Sequence, residues 1–308
     1  MIEVKHLCRK YGEHRAVDDL SFTIENGYVY GFLGPNGAGK STTMNMITGC
    51  LAATSGQVLI DGYDIFEDAQ EAKKRIGYLP EIPPLYQDMT VREFLNFVAK
   101  AKGVPKQALD EQLFSVVSLA GLEEVEERLI KNLSKGYKQR VGIAQALLAN
   151  PEIIILDEPT VGLDPKQIIE VRDMIRELGK DHTVILSSHI LSEVRSVCDR
   201  ILIISKGKLV ANDTPENLEK LYAPKSFEEI FLELTGEEAE IAEEADALEL
   251  LRRIKAGEQP AITQSEQEQD AKPAVPQSEQ EQDVKPAEEK ENKEKEDNQD
   301  ESDFSKRV

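Results

Sequence analysis

The stretch GPNGAGKST at 34–42 constrains this chain more than any other. It follows an apolar strand candidate, YVYGFLG (28–34), and opens the helical KSTTMNMITGC. In that context G-x-x-x-x-G-K-[ST] forms a phosphate-binding loop. Gly34, Gly37 and Gly39 let the backbone wrap phosphate oxygens with its N–H groups, and Pro35, Asn36, Ala38 and Thr42 belong to the same candidate loop. Lys40 supplies a point charge for the β- and γ-phosphates, and Ser41 an oxygen for Mg²⁺. The bland alternative is a chance Gly-rich turn, and the flanking strand and helix argue against it.

The rest of the chain has the organisation such a loop requires. IGYLP (76–80), PEIIILDEP (151–159) and HTVILSSH (182–189) read as further strands between helical segments. Strand–helix alternation implies an α/β fold with a largely parallel sheet and helices on its faces. From Thr90 to Ala149 the periodicity is helical, opened by a capping box in TVRE (90–93). This predicts an inserted helical lobe at about 82–150.

Two strand ends carry further chemistry. IIILDE (153–158) places two carboxylates at the end of an apolar strand, where an unpaired buried charge would be costly. One reading gives Asp157 to a Mg²⁺ shell and makes Glu158 the base that orients and deprotonates an attacking water. The other makes both residues the start of a turn into Pro159. His189 follows Ser187 and Ser188 at the C-terminal edge of the sheet, where such folds place ligands. A lone histidine is more often structural, yet as a donor it could hold a γ-phosphate. A second phosphate-shaped feature, NLSKGYKQRVG (132–142), opens a helix with Ser and Gly almost a hundred residues after the first.

Charge divides the chain. Residues 223–308 hold 26 acidic and 11 basic side chains, and so carry most of the net charge of −21. That balance argues against nonspecific nucleic-acid binding, which needs basic surface, so no nucleic-acid partner is expected. SFEEIFLELTG starts with a Ser226 cap and Glu229 three residues on, and Ile241, Ala245, Leu248, Leu251 and Ile254 form a narrow apolar stripe. A C-terminal helical extension is expected over 223–256. Beyond it, QSEQEQDAKPA (264–274) recurs as QSEQEQDVKPA (277–287), and 257–308 is expected to be a disordered acidic tail. Cys8, Cys50 and Cys198 fit no disulfide or metal framework and are expected to be buried, reduced thiols. The N-terminus has no apolar signal core, and no apolar run approaches the ~20 residues that span a bilayer.

Taken in order, Tyr11, GPNGAGKST, YLPE, LSKGYKQR, IIILDE, GLD (162–164) and His189 resemble the nucleotide-binding subunit of an ATP-binding-cassette (ABC) transporter over residues 1–222. The resemblance implies the P-loop NTPase ABC-cassette fold, with an antiparallel β region beside the parallel core. It implies that adenine stacks on Tyr11 and that two cassettes, copies or homologues, close head to tail over two ATP molecules with Mg²⁺. Ser134 and Gly136 would then contact the γ-phosphate held by the partner, and Asp164 would link the two sites. Two departures stand out. Lys135 and Tyr137 replace a Gly and a Gln of the usual LSGGQ, and Glu81 stands where the family usually has a Gln. The YLPE and LSKG combination is similar to an exporter branch that pairs a separate ATPase chain with a separate polytopic permease. That implies ATP-driven export from the cytoplasmic face of the membrane, with a coupling surface around Glu81 to Met89. The alternatives are a soluble ABC ATPase of translation or DNA repair, and a regulatory module that holds ATP without hydrolysing it.

Overall fold

The computed structural model describes residues 1–236. The chain divides into two units, Met1–Arg252 and Arg253–Val308, and every described residue belongs to the first. The apolar stripe at 241–254 and the duplicated acidic segment lie outside the described residues.

Strands β1 (Ile2–Tyr11), β2 (His14–Ile24) and β3 (Val29–Leu33) lead into α1 (Lys40–Ile47). Then come β4 (Ser55–Ile60), β5 (Tyr63–Asp64), α2 (Ala69–Lys74) and β6 (Ile76–Leu79). Three helices follow within the helical stretch, α3 (Val91–Ala101), α4 (Leu109–Leu119) and α5 (Lys135–Leu147). The chain returns through β7 (Ile153–Asp157), α6 (Pro165–Leu178), β8 (Thr183–Ser188), α7 (Leu191–Val197), β9 (Arg200–Ser205) and β10 (Lys208–Asp213). Helices α8 (Pro215–Leu221) and α9 (Phe227–Thr235) complete the described part.

The strands form two sheets. One is antiparallel, in the order β2-β1-β4-β5. The other runs β10-β9-β3-β8-β7-β6, parallel except for β10 at its edge. The parallel sheet is apolar on both faces because both are covered. Ile153 and Ile155 share a core with Ile2, Leu20 and Ile60 of the antiparallel sheet and with Met44 and Ile47 of α1. Ile154 and Leu156 point the other way, into a core with Val141 and Leu147 of α5 and Val171 of α6. Period-2 alternation thus sends neighbouring residues of one run into separate cores. Each of these isoleucines is fully buried, and each contributes about 2 kcal/mol by area.

Local signals set the helix starts. Thr90 caps α3 through a complete capping box with Glu93, as TVRE predicts, and Ser226 caps α9 with Glu229. Phe227, Ile230 and Phe231 of α9 are buried, and the Ser205 hydroxyl of β9 donates to the Thr235 carbonyl at 2.9 Å. Helix α9 therefore packs directly on the parallel sheet. Lys102, just past α3, reaches the end of α5 and donates to the carbonyls of Gln145, Ala146 and Leu148 at 2.8–3.1 Å.

The thiols differ from expectation. All three are free, but only Cys198 is buried; Cys8 is half-buried and Cys50 is exposed. Cys50 lies just beyond α1, after Gly49 at a φ of 66°. Among the described residues no helix is long and apolar enough to cross a membrane.

Candidate active site

Strand order assembles the site. The loop 34–42 leaves the end of β3, and β8 lies between β3 and β7. The C-terminal ends of β3, β8, β7 and β6 therefore present, in that order, the phosphate loop, Ser187 to His189, Asp157 with Glu158, and Glu81. Parallel α/β sheets bind ligands at this edge.

The loop delivers α1 with its N-terminus open. Gly39 is the N-cap, at φ 104° and ψ 7°, no side chain caps the helix, and its first turn holds no acidic residue. The first N–H groups and the positive end of the helix dipole are available to an anion. Lys40 is buried, and its ammonium donates to the carbonyls of Gly34 at 2.7 Å and Pro35 at 3.2 Å. These bonds tie the loop back on itself beneath the phosphate position.

A cavity of about 360 Å³ opens over the loop, lined by Tyr11, His14, Asn36, Lys40, Ser41 and Glu158 among others. Tyr11 is half-exposed at its rim, with the Arg9 guanidinium 4.6 Å from the ring centroid. Arginine covers one face of the ring, so a flat base has the other face to stack on.

The two carboxylates differ in position and partners. Asp157 is buried, accepts from the Ser187 hydroxyl, and has its Oδ1 3.4 Å from Ser41 Oγ. Two oxygen donors, one of them anionic, converge there, a donor set that suits a hard cation such as Mg²⁺. Glu158 takes a left-handed conformation at φ 49°, unusual for a residue with a Cβ, and its N–H donates to Ser187 Oγ at 2.9 Å. Ser187 thus binds both residues of the pair. Glu158 Oε2 lies 2.9 Å from His189 Nδ1, so the base candidate and the histidine touch across neighbouring strand ends. Sequence reasoning missed Ser187 as a bridge, because only the β7–β8 pairing shows it beside Asp157.

Glu81 stands apart. It is exposed just past β6 and does not line the cavity. Its charge is felt at the Tyr78 hydroxyl, which donates to Asn45 Oδ1 at 3.2 Å. Burial first, then the charges of Asp157, Cys50 and Glu81, push the Tyr78 pKa well above its ordinary value.

The second phosphate-shaped feature is also separate. Ser134 is the exposed N-cap of α5, and its hydroxyl accepts from the Tyr137 N–H at 3.3 Å. Gly136 is buried against α6, where an added Cβ would come 2.5 Å from the Gln167 amide. Gln167 also completes a capping box with Asp164, the N-cap of α6. Lys135 extends over Gly162, and Arg140 pairs with Glu170. No α5 residue lines the cavity over the phosphate loop.

A phosphate loop, a strand-end Asp–Glu pair and a contacting histidine define a P-loop nucleotide-hydrolysing cassette. The ABC transporter family model matches residues 17–161. The chain is 43% identical over 225 residues to the uncharacterized ABC transporter ATP-binding protein YhcH of Bacillus subtilis, covering 71% of this chain and 72% of the relative. It is 43% identical over 223 residues to the bacitracin transport ATP-binding protein BcrA of Bacillus licheniformis, with the same coverage. A solved dimeric ATP-binding cassette in a post-hydrolysis state bound to ADP and Pi superposes with a TM-score of 0.63 and 27% identity, covering 70% of this chain and 98% of that one. The chain belongs to the ABC transporter family, as an ATP-hydrolysing subunit. These likenesses favour a transport ATPase over a translation or repair ATPase and over a non-hydrolysing module.

Proposed function

We propose that this subunit closes head to tail on a second copy or a homologous subunit over two ATP molecules. Closure drives substrate export through a separate polytopic permease at the cytoplasmic face of the membrane. One observation carries the dimer: Ser134, the exposed N-cap of α5, is absent from the cavity that holds the phosphate loop of its own chain. An exposed helix N-terminus without acidic residues in its first turn suits a phosphate brought by a partner.

Within the site, Tyr11 stacks the adenine, the loop N–H groups and Lys40 hold the phosphates, and His189 donates to the γ-phosphate. Ser41 and Asp157 fit Mg²⁺, which supplies neutralisation of phosphate charge when bound with the nucleotide. Glu158 takes the proton of the attacking water, and His189 keeps its carboxylate aimed. Asp164, on the helix that packs on Gly136, links the two sites. Glu81, exposed at the sheet edge where the chain enters the helical lobe, relays the state of the site. Ile82, Tyr86 and Phe97 are exposed nearby, with Tyr86 and Phe97 ring centroids 5.4 Å apart, and they supply an apolar footing for the permease.

The test is Ser134→Arg. Nucleotide binding to the phosphate loop should persist while turnover and ATP-dependent dimerisation are lost. Full turnover in that variant would remove α5 from the partner's site.

A further inference from the structure

Glu193 is a charged group that none of these roles uses. It lies on α7, is 4% exposed, and is held on three sides. Its Oε2 accepts from the Thr160 hydroxyl at 2.7 Å and from the Ser188 hydroxyl at 3.4 Å. Its Oε1 lies 4.0 Å from Arg172 Nη2 of α6. A carboxylate this buried is costly unless its partners are fixed, so the segments that supply them are held with it.

Those segments are the two halves of the hydrolytic pair. Thr160 lies inside the turn that begins at Glu158 and is closed by the Val161 N–H donating to the Glu158 carbonyl at 3.3 Å. Ser188 immediately precedes His189, and its hydroxyl accepts from the Ile190 N–H at 3.0 Å. The contact between Glu158 and His189 thus spans two turns that share one acceptor oxygen. Arg172 brings α6, the helix headed by Asp164, to the same carboxylate, and its Nε is buried without a hydrogen-bond partner. We propose that Glu193 is a positioning residue: by binding Thr160 and Ser188 together it sets the alignment of Glu158 with His189. The inference rests on the reading of Glu158 as base. A displacement of about 1 Å in such a pair costs up to about a hundredfold in rate, whereas the phosphate loop is untouched.

The experiment uses the full-length chain with Thr160→Val, Thr160→Ser and Glu193→Gln, which keep the shape of the site. Steady-state ATPase assays should show kcat lower by about tenfold for Thr160→Val and Glu193→Gln, with KM for ATP within about twofold. Thr160→Ser should recover most of the loss, and the Thr160→Val/Glu193→Gln double variant should fall less than the product of the singles. The imidazole NMR signals of His189 should move in Thr160→Val without nucleotide. Unmoved signals, or kcat within twofold of wild type in both variants, would overturn the role. Glu158→Gln, assayed alongside, separates the two ideas. If it turns over normally the base reading fails, while the His189 signals still decide the positioning.

Discussion

Gly39 is held by its backbone conformation and by what lies against it, and Gly37, two residues earlier, is held by conformation alone. Gly39 sits at φ 104°, and a Cβ there would come 2.5 Å from the Ala16 carbonyl oxygen. Gly37 sits at φ 80°, with no atom within 4 Å of the added carbon. Alanine at Gly37 therefore bears only the positive-φ cost, about 1–2 kcal/mol. Alanine at Gly39 bears a similar strain and must also displace β2 backbone, which adds about 1–3 kcal/mol. For a unit of this size each kcal/mol lowers Tm by about 2–4 °C. Gly39→Ala should then melt about 10 °C below wild type and Gly37→Ala about 4 °C below, read by differential scanning calorimetry without nucleotide. Saturating ATP, which should raise the wild-type Tm by linkage, should give little rise in Gly39→Ala, because the N-terminus of α1 has shifted. Equal losses for the two variants would refute the assignment of Ala16 as the limiting contact.

Glu158→Gln should bind ATP, stop turnover by at least about a hundredfold, and favour a trapped dimer on size-exclusion chromatography; undiminished phosphate release would remove Glu158 from the role of base. Burial lowers the Lys102 pKa from its ordinary 10.5 to about 8. The unfolded chain therefore holds the extra proton between those values, and stability from this group is lost as pH falls through the window. Urea denaturation should show wild type gaining up to about 3 kcal/mol between pH ~8 and ~10.5 relative to Lys102→Met, and parallel curves would contradict it.

The readable parts of the sequence were those whose physics is local. A phosphate loop announces itself because the glycines, the lysine and the hydroxyl must be close in sequence to surround one phosphate group. The capping boxes at Thr90 and Ser226 were legible for the same reason, since donor and acceptor stand three residues apart. IIILD and TVILSS were legible as buried strands because a sheet covered on both faces keeps the middle of each strand apolar, with Asp157, Thr183, Ser187 and Ser188 confined to the strand ends. The exposed Cys50 ran against the expectation of buried thiols, since composition does not say which way a turn faces.

Other features depend on which strand lies beside which. That β8 enters between β3 and β7 is a pairing preference spread over three distant segments, and no window of sequence contains it. From it follow Ser187 between Asp157 and Glu158, and His189 against Glu158. The burial of Glu193 between α6 and two strand-end turns, and of Gly136 beneath Gln167, are likewise decided by helices packing on a sheet. The class of chemistry is written in short windows of the chain, because short-range stereochemistry dictates which residues can cradle a phosphate. Its alignment comes from packing, because Glu158 meets His189, and Thr160 meets Glu193, across about thirty positions of chain that only the paired strands and packed helices bring together.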